Sequence, residues 1–306
     1  MAPLPRPEIY VLGNASIDVT LAVPRLPAAG ETLMATGILR APGGKGLNQA
    51  VVAARAGMAW TAAAVKFCAP VGTEPEARML PAALAREPFG GLRLIEATLP
   101  TDLSTLIVAE GGENVIISTG DCADALTPYI AGVFTRPMRP LDWLLVQGNL
   151  SEAATWAAVS RARQVVFNTA PIRWISPRIL AASTVVVANQ GEAREITGLA
   201  DPAAAAAALG GTMGIVTLGA AGCILARDGR TEHFPAPNTV AVDTTGAGDT
   251  FCGILAAGLA AGGAIEAVIG LAQAAAALAV TRRGCFGALP SVAEISSLSD
   301  ARRAPG

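Results

Sequence analysis

The sequence contains Val242-Asp243-Thr244-Thr245-Gly246-Ala247-Gly248-Asp249-Thr250-Phe251, a segment of small residues that leads directly into a helix-forming run. The small residues at 246–248 let backbone N–H groups converge where that helix begins. Unpaired amides and the positive end of the helix dipole then face the same point, and this geometry binds anions. A phosphoryl group that gains charge during its transfer fits such a site.

Asp249 lies at the same point, although a carboxylate beside a phosphate repels it unless a proton or a metal intervenes. The residue makes sense as a base for a substrate hydroxyl that attacks phosphorus. A simpler interpretation, in which Asp249 only caps its helix, stays open. A dinucleotide-binding G-x-G-x-x-G loop is excluded, because Phe251 stands three residues after Gly248.

A second glycine cluster, at 43–46, resembles a phosphate loop only superficially. Gly46 follows Lys45 where a Walker motif requires Ser or Thr, and Leu39 stands where that motif requires its first Gly. The cluster is therefore not a P-loop.

Short apolar runs alternate with longer Ala-rich segments along the chain, which is typical of βαβ units. The runs that suit strands buried on both faces are 9–12, 143–146, 165–168, 184–188 and 214–218. Helices are predicted over 47–57, 152–162, 190–197, 202–209, 250–261 and 266–280. The pattern predicts an α/β fold around a parallel sheet.

Two regions, about 16–41 and 92–119, break this alternation with β-type runs that have no helix between them. The runs 104–109 and 114–118, joined by Glu-Gly-Gly-Glu, predict a hairpin. Strands without a crossover helix do not belong to a parallel sheet, so we expect a small separate sheet that acts as a lid or an interface. An antiparallel extension of the main sheet is the alternative. Pairing of two copies through the lid would cover its apolar face, which predicts a homodimer.

Composition excludes several classes of function. The chain has 306 residues, 22 basic and 24 acidic, and is 52% hydrophobic, so disorder, nucleic-acid binding and binding to anionic membranes are not expected. Five widely spaced cysteines without a CxxC pair argue against zinc sites and disulfide scaffolds. We expect one domain over 1–306, with the discontinuous lid inserted in it.

The N-terminus lacks the layout of a signal peptide, which predicts a cytoplasmic protein. The Ala-rich stretch 251–280 is divided by Glu266 into uncharged runs shorter than the roughly 20 residues that a membrane span requires. Two buried helices are the better interpretation.

Two long motifs, Gly-Gly-Lys-Gly-Leu-Asn-Gln-Ala at 43–50 and Asp-Thr-Thr-Gly-Ala-Gly-Asp-Thr-Phe at 243–251, resemble the two signatures of the ribokinase (PfkB) family of carbohydrate kinases. Shorter matches follow in the family's order at 112–115, 168–171, 189–192, 217–222 and 279–284. The similarity covers essentially the whole chain and is strongest to the ribokinase branch. It implies a ribokinase-like three-layer α/β/α sandwich with a mostly parallel central sheet and a small β-sheet lid.

The resemblance also implies ATP as phosphate donor, Mg²⁺ as its partner, and a sugar hydroxyl as acceptor. Asp249 would be the catalytic base, and the amides of Gly246, Ala247 and Gly248 would form the anion hole. The residues implied to hold the sugar hydroxyls are Asp18, Gly44, Lys45 and Asn48. Asp18 could instead only begin a lid strand, and Lys45 could be a solvated loop lysine.

On the nucleotide side the resemblance implies Asn189, Glu192, Thr217, Gly219, Gly222 and Gln273. Asn189 and Glu192 match an NxxE element near the metal and phosphates, and oxygen ligands held partly through water suit Mg²⁺. A capping box formed by the same two residues could coexist with that role. Gln273 stands where the ribokinase branch has a His that contacts the base of the nucleotide, which would give Gln273 the same role. In the alternative interpretation, it is a buried polar residue that needs a hydrogen-bond partner within the protein.

Members of the ribokinase branch often bind a monovalent cation beside the anion hole. By position, Asp243 would supply a carboxylate to a K⁺ ion, and backbone or hydroxyl oxygens would come from Thr245, Ala279, Arg282, Gly284 and Ser291. The segment 284–291 is about three residues longer than its counterpart in that branch, so the cation shell is expected to differ.

Two sugar positions depart from the ribokinase branch. Ser16 replaces an Asn, and Asn149 in Gln147-Gly148-Asn149 replaces a sugar-binding Glu. The family's Gly-Asp-Asp is also replaced, by Gly-Thr-Glu at 72–74. A missing hydrogen-bonding partner changes discrimination between substrates by orders of magnitude, so the sugar need not be ribose.

The sequence thus predicts an ATP-dependent kinase that phosphorylates a primary hydroxyl of ribose or a related pentose or hexose. A nucleoside kinase of the same fold is one alternative, and a non-catalytic protein that binds a sugar or a nucleotide is another. The first would need a base-stacking pocket, against which the low aromatic content argues mildly. The second would have no need for Asp249.

Overall fold

Thirteen strands and eleven helices follow one another along residues 6–110 and 113–303, the part of the chain that the computed structural model describes. The strands are β1 (Glu8–Leu12), β2 (Ser16–Val23), β3 (Gly37–Gly43), β4 (Ala64–Val71), β5 (Gly91–Glu96), β6 (Asp102–Ala109), β7 (Asn114–Ser118), β8 (Trp143–Gln147), β9 (Gln164–Asn168), β10 (Val185–Asn189), β11 (Met213–Thr217), β12 (Cys223–Arg227) and β13 (Arg230–Phe234). The helices are α1 (Lys45–Ala59), α2 (Met79–Leu84), α3 (Asp121–Asp124), α4 (Pro128–Thr135), α5 (Glu152–Val159), α6 (Pro177–Ala182), α7 (Gln190–Thr197), α8 (Pro202–Ala208), α9 (Ala247–Ala260), α10 (Ile265–Ala279) and α11 (Val292–Arg303).

A nine-stranded sheet in the order β13-β12-β11-β10-β9-β8-β1-β4-β5 forms the centre of the described structure. The strands from β5 to β11 in this order are parallel, and β12 and β13 are antiparallel. All five strands predicted from continuous apolar runs lie in the parallel part, with bounds that differ by no more than one residue. The prediction of a mostly parallel central sheet is confirmed.

Helices cover both faces of this sheet, because side chains of a strand alternate between its faces. On β1, Ile9 and Val11 pack into the layer of α1, α2, α9, α10 and α11. Tyr10 and Leu12 pack into the opposite layer, which α3 to α8 supply. The arrangement confirms the predicted three-layer sandwich.

The Ala-rich stretch 251–280 belongs to α9 and α10, which pack against each other, and α9 also packs against α1. None of the helices within the described ranges combines the length and the apolar character that crossing a membrane requires. The prediction of two buried helices is confirmed.

Four strands form a separate sheet in the order β3-β2-β6-β7, which we call the lid sheet. The small sheet was predicted, and the alternative of an antiparallel extension of the main sheet is wrong for these strands. The prediction that the second lid region begins at 92 is also wrong, because β5 pairs in parallel with β4 at the edge of the main sheet. The crossover between them contains α2, whose six residues are too few for the helical pattern to be read. The glycines of the predicted hairpin turn, 111–112, lie outside the described residues.

The order of the strands reverses at β1, which has β4 on one side and β8 on the other. In open α/β sheets, ligands bind outside the carboxyl ends of the strands at such a switch point. Gly13 and Asn14 follow β1 at this edge, Gly148 and Asn149 follow β8, and β2 leaves it towards the lid sheet. The fold therefore places a binding site between the sheet edge and the lid sheet.

Candidate active site

Asp249 lies in the first turn of α9 and is 6% exposed. Its carboxylate accepts hydrogen bonds from two neighbouring residues of α1: Asn48 Nδ2 donates to Oδ2 at 3.1 Å, and Gln49 Nε2 donates to Oδ1 at 3.0 Å. The N-cap of α9 is Gly246, and no side chain caps this helix. The interpretation of Asp249 as a mere helix cap is therefore wrong.

The loop before α9 requires glycine at one position and leaves amides free at two. Gly246 has φ of 80°, and a Cβ at this position would lie 2.6 Å from the Sγ of Cys285. The amides of Gly246 and Gly248 donate to no group within the described parts of the chain, whereas that of Ala247 donates to the Thr244 carbonyl at 3.3 Å. The helix start thus offers the unpaired N–H groups of Gly246 and Gly248 to an anion, as the sequence predicts. The prediction of a third free amide, at Ala247, is wrong, because that amide closes a turn with Thr244.

Two charged side chains of opposite sign flank Asp249. The pKa of Lys45 is raised, mainly by the negative charge of Asp249, against the opposing effect of burial. Burial raises the pKa of Asp18 to about 6, and the charge of Asp249 adds to this shift. The hydroxyl of Ser16 donates to Asp18 Oδ1 at 2.9 Å and acts in the opposite direction. Because the Ser16 hydroxyl donates its proton to Asp18, Ser16 stabilises the ionised form of the Asp18 carboxylate.

Glycines make room for these groups where the lid sheet meets α1. A Cβ on Gly43 would lie 1.9 Å from Oδ1 of Asp18, so only glycine allows the carboxylate to lie there. Gly44 is the N-cap of α1 with φ of 96°, and a Cβ on it would lie 2.9 Å from the Ser16 amide. The predicted sugar residues Asp18, Gly44, Lys45 and Asn48 are therefore brought together at one corner of the site.

A cleft of about 670 Å³ runs from Asp249 and Lys45 along the carboxyl ends of β9, β10 and β11, with Ile116 of the lid sheet at its side. All six residues predicted for the nucleotide line this cleft: Asn189, Glu192, Thr217, Gly219, Gly222 and Gln273. The anion-hole residues 246–248 line it as well. The cleft therefore joins the predicted nucleotide residues to the carboxylate of Asp249, the predicted base.

Asn189 and Glu192 form a full capping box at the start of α7. Asn189 Oδ1 accepts from the Glu192 amide, and Glu192 Oε2 accepts from the Asn189 amide, both at 2.9 Å. The Thr169 hydroxyl also donates to this Oε2, at 3.1 Å. The other oxygen, Oε1, accepts no hydrogen bond from any described residue. The capping interpretation is thus confirmed, and one carboxylate oxygen remains for a ligand of the cleft.

Gln273 has a partner within the protein. Its Nε2 donates to the carbonyl of Phe234 at 2.8 Å and lies 3.6 Å from the Sγ of Cys223. These contacts tie α10 to β12 and β13. They fit the interpretation of Gln273 as a buried polar residue that needs a partner.

The six residues predicted to hold K⁺ divide into two groups. Asp243 accepts from the amides of Thr245 and Gly284, each at 2.9 Å, so these three residues are together. The others have contacts elsewhere: Arg282 and Ser291 bind Glu294, and the Ala279 carbonyl accepts from the Arg282 amide. In the described ranges, no three His, Cys, Asp or Glu side chains converge as they would to hold a metal ion.

Several site residues were not predicted individually. Asn14 fixes the start of α1 to the end of β1, because its Oδ1 accepts from the Gly46 amide at 3.1 Å. Gln49 binds Asp249, and Gln147 Nε2 in turn donates to Gln49 Oε1 at 2.9 Å. Cys285 Sγ accepts from Asn48 Nδ2 at 3.0 Å. Gln49 and Gln147 belong to segments named in the sequence analysis, but the contacts of all four residues depend on the folded chain.

Four buried side-chain atoms near the site have no hydrogen-bond partner in the described structure: Asn48 Oδ1, Gln147 Oε1, Asn149 Oδ1 and Thr250 Oγ1. Such atoms are rare in native proteins, and each one requires an explanation. Asn48 and Asn149 are predicted sugar residues, and hydroxyl groups of a polyol would satisfy their free oxygens.

A buried carboxylate beside free helix-start amides, at the end of a nucleotide-sized cleft and next to a β lid, defines a phosphotransferase that acts on an alcohol group. The features that define the pfkB family carbohydrate kinases match residues 6–292, and the chain belongs to this family. The resemblance inferred from the two motifs is confirmed.

Known relatives agree with this assignment over nearly the full length. Ribokinase of Haemophilus influenzae is 31% identical over 299 residues, which cover 94% of this chain and 96% of the relative. The crystal structure of Thermotoga maritima ribokinase superposes with a TM-score of 0.85 at 29% identity and covers 96% of this chain and 99% of that one. Arabidopsis thaliana ribokinase, in complex with ribose and ATP, shares the fold with a TM-score of 0.79 at 23% identity and covers 96% and 99%.

Proposed function

We propose that this protein transfers the γ-phosphate of ATP to a primary hydroxyl of a small sugar. The observation that carries the proposal is the position of Asp249, a buried carboxylate between the free amides of the α9 start and the corner that holds Asp18, Lys45 and Asn48. The ribose and ATP bound by the Arabidopsis thaliana ribokinase support the choice of both substrates.

The cleft suits a nucleotide and the corner beside it suits a sugar. Glycines at 219 and 222 let the backbone approach the nucleotide, and the 246–248 loop lies where its terminal phosphate would reach Asp249. At the corner, a carboxylate, an ammonium group and an amide offer both acceptors and donors to a polyol. The two substrates would therefore meet at Asp249.

Asp249 takes the proton of the sugar hydroxyl while the oxygen of that hydroxyl attacks the γ-phosphorus. The bond from that phosphorus to the bridging oxygen of ADP breaks, and the amides of Gly246 and Gly248 stabilise the charge on the transferring group. Lys45 balances the carboxylate charge before transfer. Closure of the lid sheet over the corner excludes water, which would otherwise take the phosphate.

Mg²⁺ fits the donor set of the cleft as a partner of the nucleotide. Glu192 offers one free carboxylate oxygen, and a hard cation held by one carboxylate, phosphates and water needs no larger protein cage. When bound, the ion neutralises charge on the phosphates. We also propose a K⁺ ion beside Asp243, Thr245 and Gly284, where it would stiffen the loop that carries Gly246.

The acceptor need not be ribose. Ser16 is occupied with Asp18, and Asn149 places a neutral amide oxygen at the position where the ribokinase branch has a carboxylate. A neutral amide oxygen accepts fewer hydrogen bonds from hydroxyl groups than a carboxylate does, and each of these hydrogen bonds is weaker. We therefore propose a small sugar whose hydroxyl pattern differs from that of ribose on the Asn149 side.

Coupled measurement of ADP release tests the function. The panel contains ribose, deoxyribose, fructose, other pentoses and hexoses, and nucleosides, each with and without K⁺. We expect turnover with one or a few sugars, and faster turnover with K⁺. Turnover with nucleosides alone would show a nucleoside kinase, and a silent panel would favour a binding protein without catalysis.

We propose that two copies pair through the lid sheet. Its outer strands expose Ile38 and Leu39 on β3 and Ile116 and Ile117 on β7. Exposed apolar side chains on the open edge strands of a sheet favour association. Light scattering at micromolar concentration should give the dimer mass for the wild type and the monomer mass for Ile117→Lys. A wild-type monomer would contradict the proposal.

A further inference from the structure

Three side chains form a line of hydrogen bonds from the end of β8 to the catalytic carboxylate. Gln147 Nε2 donates to Gln49 Oε1 at 2.9 Å, and Gln49 Nε2 donates to Asp249 Oδ1 at 3.0 Å. The residues belong to β8, α1 and α9, so the line crosses the switch point of the sheet. Neither glutamine has exposed surface. Neither side chain can therefore contact a substrate, and their hydrogen bonds lead to Asp249.

The carboxylate dictates the orientation of both amides. An ionised carboxylate only accepts hydrogen bonds, so Gln49 must present its NH₂ group to Asp249 and its carbonyl to Gln147. Gln147 must then present its own NH₂ group, which leaves its Oε1 at the far end without a partner. That oxygen lies 2.2 Å from where a Cβ of Gly13 would be, so the glycine makes room for it. The line thus has one direction, set by the ionised form of Asp249.

Both oxygens of Asp249 are held from the same helix. Gln49 binds Oδ1, and Asn48, its neighbour on α1, binds Oδ2. Two donors on opposite oxygens fix the rotation of the carboxylate plane. Asn48 lies at the sugar corner, where a substrate can shift it, whereas Gln49 is anchored by Gln147 in the protein interior. Gln49 is thus the fixed support of the pair.

We infer that Gln49 is a positioning residue for phosphoryl transfer, whose amide, oriented by Gln147, holds the Asp249 carboxylate ready to take the proton of the sugar hydroxyl. The inference rests on the proposed function and adds a part that contacts neither substrate. A small misplacement of a reacting group costs up to about 100-fold in rate. Loss of the support should therefore lower kcat and leave nucleotide binding unchanged.

The test compares Gln49→Met, Gln147→Met and the double variant, because Met keeps the size of Gln and removes its hydrogen bonds. We expect kcat to fall by about 10- to 100-fold in Gln49→Met and by about 3- to 10-fold in Gln147→Met, with the KM for ATP within about threefold of wild type. The double variant should be no slower than Gln49→Met, because both changes act through one hydrogen bond.

Gln164→Met is the matched control. Gln164 begins β9 at the amino ends of the parallel strands, and within the described residues its side chain accepts only from the Thr184 hydroxyl. The kcat of Gln164→Met should therefore equal that of the wild type. Thermal unfolding checks that the variants fold. If Gln49→Met does not fold, the comparison of Gln147→Met with the wild type tests the inference alone.

Two results separate this inference from the function on which it rests. If the wild type is active and a folded Gln49→Met or Gln147→Met variant has an unchanged kcat, only the inference is overturned. The same holds if the losses in kcat of the two single variants multiply in the double variant. A wild type without activity on any acceptor would overturn the proposed function and the inference with it.

Discussion

The proposed nucleotide end and the proposed sugar end of the candidate active site are built in different ways. Glycines, backbone amides and the carboxyl ends of three parallel strands line the nucleotide cleft, so its shape follows from the fold. The sugar corner depends on side chains from β2, α1 and the turn after β8, among them the half-buried Asp18 and two unpaired amide oxygens. A single substitution can thus change the acceptor while the chemistry of transfer is retained. For this reason the sequence indicates the family of the protein but does not indicate which sugar it phosphorylates.

Removal of the base should have the largest effect, because Asp249 belongs to both ends of the site. In Asp249→Ala we expect kcat to fall by at least about two orders of magnitude, with similar affinity for the nucleotide. Steady-state kinetics and nucleotide titration measure the two quantities. Equal kcat in variant and wild type would show that another group accepts the proton.

A change at the sugar corner should affect one substrate only. Asp18→Asn removes an ionised acceptor for sugar hydroxyls, and we expect kcat/KM for the sugar to fall by about 10- to 100-fold with an unchanged KM for ATP. Because burial disfavours the charged form of Asp18, the variant should be at least as stable as the wild type near pH 8 in thermal unfolding. An equal loss for both substrates would erase the distinction between the two ends.

The same residue predicts a pH dependence confined to the sugar. The pKa of Asp18 is raised to about 6, so the free enzyme loses the ionised acceptor as the pH falls through this value. We expect kcat/KM for the sugar to fall by up to about tenfold per pH unit below pH 6. In Asp18→Asn this decline should be absent or much reduced. An identical profile in both proteins would assign the titration to another group.

The smallest effect is expected at Gln273, on the wall of the nucleotide cleft. Its amide holds the Phe234 carbonyl, so Gln273→Leu should lower the melting temperature and change the KM for ATP by less than about threefold. A tenfold rise in that KM would instead show that Gln273 contacts the base of the nucleotide.

Five of the seven parallel strands could be predicted from the sequence because each is a continuous apolar run. The buried strand β4 was not predicted, because Lys66 and Pro70 interrupt its apolar run. The edge strand β5 was assigned to the lid, since α2 is too short to be recognised as a crossover. The hairpin of β12 and β13 was missed because Arg230–Phe234 is polar and mostly exposed. Edge strands lack the apolar signal that burial on both faces imposes.

The part of the candidate site that lies in continuous sequence motifs could be predicted. The motif at 43–50 and the loop at 243–251 contain Lys45, Asn48 and Asp249, which the fold brings together. The line from Gln147 to Gln49 was not predictable, because it joins residues 98 positions apart through burial that only the folded chain creates. The identity of the sugar is undetermined for a related reason: it depends on which side-chain atoms remain unpaired at the corner.

Phosphorus NMR of the reaction mixture tests the central claim most directly. With ATP, Mg²⁺ and the sugar found by the panel, the wild type should give a new phosphate ester signal that coupling to the neighbouring CH₂ group splits into a triplet, and Asp249→Ala should give almost none. A doublet would place the phosphate on a secondary hydroxyl. Inorganic phosphate as the only product, or an equal ester signal from Asp249→Ala, would contradict transfer to a primary alcohol by this aspartate.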